Sequence, residues 1–221
     1  GFDKHMKRAE NMAINNKESA PLKYYAKIYA QLDPHEISSR CNIPYDEKTC
    51  RFSLRLMGEN LFVRHPDFAI YYGDETQMEN NPISILLIRY LIEGKIVLAT
   101  DYNLTYRDIP NGQAYYTNFL GRCIKRLAGT CGSKLKYFSK VMDDIGAKRI
   151  NMGDCAYRFE FLNNLFMTFI LWEGDDEFPP SAQILFDNNF PLAFSAEDVA
   201  VVGDISIDYL SKRIKQLNDQ L

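Results

Sequence analysis

Glu173, Asp175, Asp176 and Glu177 set four carboxylates within five residues, directly after the only tryptophan, Trp172, and ahead of Pro179-Pro180. Oxygen ligands crowded into one loop suit a Ca²⁺ or Mg²⁺ site or an acid/base pair. The run lacks the ligand spacing of an EF-hand. The competing reading is a solvated acidic turn in which Gly174 supplies an unusual backbone angle and the prolines stiffen the return. Trp172 covers a ligand in the first case and anchors the loop in the second. In a second group, Tyr106-Arg107-Asp108-Ile109-Pro110-Asn111-Gly112-Gln113-Ala114-Tyr115-Tyr116, a turn delivers two aromatic rings to a helix start. The free amides there favour an anion and Arg107 stands near to pair with one, although the tyrosines equally suit packing between helix and sheet. A third group is Gly153-Asp154-Cys155-Ala156-Tyr157-Arg158-Phe159, where Asp154 and Arg158 are close enough along the chain to form a structural salt bridge. Cys155 has no sequence-adjacent activator. From these groups Arg107, Tyr115, Tyr116, Arg158, Trp172, Glu173 and Asp175 are the candidate cofactor-binding residues. No catalytic or metal-ligating residue is assigned, because the histidines are isolated and no Walker, dinucleotide or nucleophile-elbow pattern occurs.

The apolar pattern supplies the frame that must position these groups. Leu22, Tyr25, Ala26, Tyr29 and Leu32 fall at helical spacing. Asp33-Pro34-His35-Glu36, with Asp at the cap and Pro at the first helical position, predicts a short helix to Arg40 or Cys41. From Cys50 to Tyr72 the period falls to two, which predicts a hairpin turning at Gly58-Glu59-Asn60 and a third strand over 68–72. Asn81-Pro82 opens a helix with Ile83, Leu86, Leu87, Tyr90 and Leu91 on one face. A strand is expected over 102–106, then helices over 114–128 and 133–145. The run 165–171 is apolar on both faces and so reads as a central strand, with 182–186 its partner. Ser195-Ala196-Glu197-Asp198 caps one closing helical segment, and Ile207, Leu210, Ile214 and Leu217 stripe the last. Strands and helices come in clusters, so the expected fold is α+β, a single domain with a mixed or mostly antiparallel sheet packed by clustered helices. It spans 1–221, with 1–18 as an N-terminal helical extension.

The 221 residues, 46% hydrophobic and 13% aromatic, can bury a substantial core. The longest apolar runs, Ile83 to Ile92 and Leu165 to Trp172, fall short of the roughly 20 residues a spanning helix needs. No membrane segment is expected, and with no apolar stretch after the basic start the default compartment is the cytoplasm. Five cysteines, an odd number without a Cys-x-x-Cys pair, read as free thiols. The net charge is −3, but residues 159–211 carry ten acids and no Lys or Arg, leaving 1–158 net positive. Without a tight basic cluster, nucleic acid is not an expected partner.

Read together, Leu32-Asp33-Pro34-His35-Glu36, the Arg107-to-Tyr116 stretch, Gly153 to Phe159, Leu171-Trp172-Glu173-Gly174-Asp175-Asp176-Glu177-Phe178-Pro179-Pro180-Ser181-Ala182 and Ser195 to Asp198 resemble the family known as domain of unknown function 3786. The resemblance covers about residues 20–205. It implies a protein of anaerobic bacteria or archaea, some of whose relatives add a four-cysteine iron–sulfur module of the kind found in corrinoid methyl-transfer proteins. This chain has no such cysteine array, and the resemblance carries no catalytic residues over to it.

Three functions follow as expectations. The first is a non-catalytic module binding a small ligand or cofactor, a corrinoid or tetrapyrrole by the family's company, alongside a redox or methyl-transfer protein partner. The second is an enzyme using the Trp172-to-Asp187 carboxylates, with or without Mg²⁺, which requires Glu173, Asp175 or Asp176 to converge with Arg107 or Arg158. The third is an interaction scaffold, which rests on the charge split.

Overall fold

The computed structural model describes residues 21–100 and 102–220; the helical extension expected over 1–18 lies outside them. The fold is α+β, and every pairing between its strands is antiparallel. The described residues gather into two compact units, one of residues 21–54 with Asn60–Lys95, the other of Arg55–Glu59 with 96–100 and 102–220.

In the first unit, helix α1 (21–31) buries Tyr29, whose hydroxyl donates to the Arg64 carbonyl at 2.9 Å. Helix α2 (Pro34–Cys41) starts as its sequence dictates, with the Asp33 carboxylate accepting the His35 N–H at 2.9 Å. Strands β1 (Tyr45–Asp46), β2 (Arg51–Leu56), β3 (Glu59–Arg64) and β4 (Ile70–Tyr72) follow. The β2–β3 turn, whose residues count with the second unit, is tighter than expected: it uses Met57 and Gly58, both at positive φ, the geometry that matches strand twist in two-residue hairpins. Helix α3 (Pro82–Glu93) opens on a capping box between Asn81 and Ser84. Its last carbonyls are satisfied from outside by Arg40, which donates to the Leu91 and Gly94 oxygens at 2.7 and 2.5 Å.

The second unit holds β5 (Asn103–Leu104), β6 (Lys148–Ile150), β7 (Cys155–Leu162), β8 (Leu165–Trp172) and β9 (Ser181–Asp187), laterally ordered β6-β7-β8-β9-β5. As its pattern predicts, β8 is central, and Leu165, Met167, Thr168, Phe169, Ile170 and Leu171 are all buried. The structure adds β6 and the full length of β7, which the sequence reading left unassigned. It shortens the strand expected over 102–106 to Asn103–Leu104, because Asp108 accepts both the N–H and the hydroxyl of Thr105, at 2.8 and 2.9 Å, and folds Tyr106–Asp108 into a 3₁₀ turn.

Odd-numbered residues of β7 and β8 and even-numbered residues of β9 face a layer of helices: α4 (Gly112–Phe119), α5 (Arg126–Cys131), α6 (Leu135–Asp144) and α8 (Ala196–Asp219), with the short α7 (Phe190–Ala193) before the last. The helix expected over 114–128 is longer, since a π-helical turn, Leu120–Lys125, joins α4 to α5 without a break. The two closing segments are likewise one helix, α8. Aromatic rings bind the layers together. Phe119 stacks on Tyr106 at 4.0 Å and meets Phe186 at 6.1 Å, and Phe138 sets its edge against Tyr157 at 5.7 Å. The Tyr106 hydroxyl donates to the Ala196 carbonyl at 2.7 Å, and burial pushes its pKa up to about 12. Burial also pushes the Cys123 and Cys131 thiols up to about 12, which keeps them protonated packing groups.

Close approach at two glycines sets this layer. At Gly203 a Cβ would lie 2.7 Å from the Cys123 sulfur, and at Gly112 it would lie 1.9 Å from the Tyr106 carbonyl oxygen. The Tyr106 oxygen is backbone and cannot yield, so Gly112→Ala should destabilise the protein by about 3 kcal/mol in urea unfolding. Gly129→Ala, at an exposed helical position with nothing within 4 Å of a new Cβ, should instead stabilise by about 0.5–1 kcal/mol.

Candidate functional site

The three groups singled out in the sequence are distributed over the second unit. Arg107 lies exposed in the 3₁₀ turn, its guanidinium 3.6 Å over the Tyr116 ring, a cation–π contact. Tyr115 donates its hydroxyl to Glu197 at 2.5 Å, and that bond raises its pKa. Trp172 closes β8, paired with Ser181 and 39% exposed. The acidic loop after it is folded on its own backbone. Asp175 Oδ1 accepts the N–H groups of Glu177 and Phe178 at 2.8 and 2.7 Å, the Asp175 N–H donates to the Phe178 carbonyl at 2.8 Å, and a Cβ on Gly174 would strike Pro180. The two N–H donors hold the Asp175 carboxyl below its ordinary range. Glu173 is tied down through its N–H, which donates to Asp154 Oδ2 at 2.7 Å.

The expected Asp154–Arg158 salt bridge does not form. Residues four apart are neighbours on a helix, but Arg158 lies within β7, and four residues of strand span about 13 Å. Asp154 therefore caps the Trp172 loop, while Arg158 reaches across β8 to Asp187 on β9 at 2.5 Å. The convergence required of the carboxylate enzyme is also absent from the bonding pattern. Among the described residues, Glu173, Asp175 and Asp176 form no ion pair with Arg107 or Arg158, and no group of three or more His, Cys, Asp or Glu could hold a metal ion.

On the sheet face opposite the helices, the structure builds a cleft of about 640 Å³. Strand register assembles its floor: Lys148 on β6 is paired with Arg158 on β7, and Arg158 with Thr168 on β8. Asp187, at the end of β9, is paired with Asn103 on β5. One wall is formed by Ala99, Thr100, Tyr102 and Asn103, with the exposed Tyr102 at the rim; the other is the 148–152 segment. The first wall is pinned from below. The Asn188 side chain bonds Thr100 at 2.5 and 3.1 Å, and the buried Asn189 donates to the Val97 and Asn164 carbonyls at 3.1 and 2.9 Å. The end of the second wall lies against Trp172, whose ring atom Cε2 is 3.3 Å from where a Gly153 Cβ would stand.

Arg158 is held on two sides, by Asp187 Oδ2 and by the Phe166 ring 4.0 Å beneath its guanidinium, so its remaining N–H groups are fixed in direction while taking no described partner. Thr168 is only 2% exposed, and its hydroxyl, also without a described hydrogen bond, lines the cleft. The site thus offers cationic donors from Lys148 and Arg158, a hydroxyl, and one free carboxylate oxygen on Asp187. Of the residues named from sequence, Arg158 lines this cleft and Trp172 lies against the end of its second wall. Lys148, Thr168, Asp187 and Asn103 were not named. A signal for two of them was present: Thr168 is the sole polar residue in the apolar run of β8, and Asp187 ends the apolar run of β9.

Fold and site together define an α+β protein with an antiparallel sheet that is covered by helices on one face and opened by a polar cleft on the other. The chain belongs to the family described as Domain of unknown function (DUF3786), whose sequence model matches residues 33–209 and so takes in both units. No curated protein and no solved structure matches it. No helix among the described residues is long and apolar enough to cross a membrane.

The depressed Asp175 carboxyl carries a pH dependence. Its stabilisation of the loop is present above the unfolded-state value, about 4, and is lost as pH falls through the lower folded-state value. Emission of the neighbouring Trp172 should therefore hold steady down to about pH 4 and shift only below it. Asp175→Ala should show the acid-form emission at neutral pH; an unchanged spectrum there contradicts the assignment.

Proposed function

We propose that this protein is a non-catalytic module that binds a small anionic ligand or cofactor in the Arg158 cleft. The observation that carries the reading is the immobilised guanidinium. Fixed between Asp187 and Phe166, in a cleft that Lys148 also lines, it presents preorganised donors to a carboxylate or phosphate at a reduced ordering cost. The cleft volume falls within the range of small-ligand sites. Within this class, a tetrapyrrole would bring propionates and a corrinoid the phosphodiester of its nucleotide tail, both anions that Lys148 and Arg158 suit. The anaerobic setting and a redox or methyl-transfer partner rest on the resemblance alone.

Titration of the full chain with haem, cobalamin and inorganic phosphate, followed by visible absorption, Trp172 quenching and calorimetry, tests the reading. Saturable binding of at least one probe is expected, weakened about tenfold by Lys148→Ala and by raised salt. Absence of saturable binding with all three overturns it.

A further inference from the structure

The acidic member of the cleft is the feature that a plain anion site does not account for. Asp187 is 5% exposed and lines the same floor as Lys148 and Arg158. Its Oδ2 accepts from Arg158, but Oδ1 takes no described hydrogen bond. An ionised carboxylate is acceptor-only, so a bare anion entering beside it gains nothing from Oδ1 and is repelled by its charge. A ligand hydroxyl, by contrast, can donate to Oδ1, which opens on the cleft and is left free by Arg158. Thr168 points to the same chemistry independently. Its hydroxyl is nine-tenths buried or more, unpartnered and in the cleft, and can both donate to and accept from a second hydroxyl.

Spacing orders these groups. Lys148, Arg158 and Thr168 are paired in register on three adjacent strands, about 4.8 Å apart at each backbone step, while the Arg158 side chain crosses β8 so that its guanidinium stands beside Asp187 and over Phe166. The floor therefore sets the Lys148 strand at one end and the guanidinium–carboxylate pair at the other, with Thr168 on the strand between them. Tyr102, 61% exposed at the rim, offers a ring face against which the apolar side of a sugar can lie.

We infer that the ligand is a phosphorylated sugar or polyol, its phosphate held by Lys148 and by Arg158 N–H groups that Asp187 leaves free, and its hydroxyls on Thr168 and Asp187. This rests on the anion-binding reading above and narrows its ligand class.

The test is calorimetry on the full chain with ribose 5-phosphate, inorganic phosphate and ribose, comparing wild type with Lys148→Ala, Thr168→Val and Asp187→Asn, each checked for an intact cooperative melt. Wild type should prefer ribose 5-phosphate over inorganic phosphate by about tenfold or more. Lys148→Ala should weaken both probes. Thr168→Val and Asp187→Asn should shrink the preference while leaving inorganic phosphate binding unchanged or, for Asp187→Asn, tighter. Thr168→Val is nearly isosteric and decides the matter if Asp187→Asn does not fold. Equal affinity for the two phosphate probes, or a preference untouched by Thr168→Val, overturns the inference. If no phosphate probe binds while haem or cobalamin binds with Lys148 dependence, the inference fails and the anionic-ligand reading stands; if nothing binds, both fall.

Discussion

β8 can show neither face to water, because Leu165, Met167, Phe169 and Leu171 point one way and Ile170 and Thr168 the other, and all are buried. Each large apolar side chain in that strand is worth about 1.5–3 kcal/mol of burial, so the sheet must be covered on both sides. One side receives a helical layer keyed by rings: Phe119 between Tyr106 and Phe186, and Phe138 against Tyr157. On the other side, among the described residues, Gly153 in the turn before β7 comes close to Ile170, and the 96–100 segment is pinned to Asn188 and Asn189. Ala99 and Thr100 from the one and Ile150, Asn151 and Met152 from the other line the cleft. Its floor is polar where its neighbours on the same strands are apolar, which is why Thr168 and Asp187 are both buried and available.

The uneven charge along the chain finds its explanation within the second unit. Acids of the 159–211 stretch meet arginines drawn from outside it: Arg55 with Glu160, Arg122 with Asp204, Arg126 with Asp204 and Asp208, and Arg158 with Asp187. Most of these pairs are half-exposed and contribute little individually, about 0–1 kcal/mol. Their effect is on register, since they fix α8 against the π turn and β7 against its neighbours. Asp187 differs because it is almost fully buried, so removing Arg158 would strand its charge. The Trp172 loop stands apart from this pairing. Its acids are exposed and the one with a described role, Asp175, works on its own backbone.

Much of the frame was legible from short-range pattern. The caps at Asp33, Asn81 and Ser195, the period-two run of β2 and β3 and the doubly apolar β8 all depend on residues within a few positions of one another, and each appears as expected. The failures share a cause. β6 is three residues, two of them charged, and is a strand only because β7 lies beside it. The π turn that fuses α4 to α5 is paired with the close approach of Gly203 on α8, more than seventy residues away in sequence. Asp154 and Arg158 are close along the chain but not in space, because Arg158 lies in an extended strand.

The sequence by itself determined most of the local elements, the α+β class and the family, since capping groups, turn residues and hydrophobic period act between near neighbours. Only the tertiary structure decided which side chains share a site. Lys148, Arg158, Thr168 and Asp187 are brought to one floor by antiparallel register across four strands. Register is fixed by which apolar face must be buried, a property of the assembled sheet and not of any one strand, so a residue that is unremarked in its own segment becomes half of a binding group beside another.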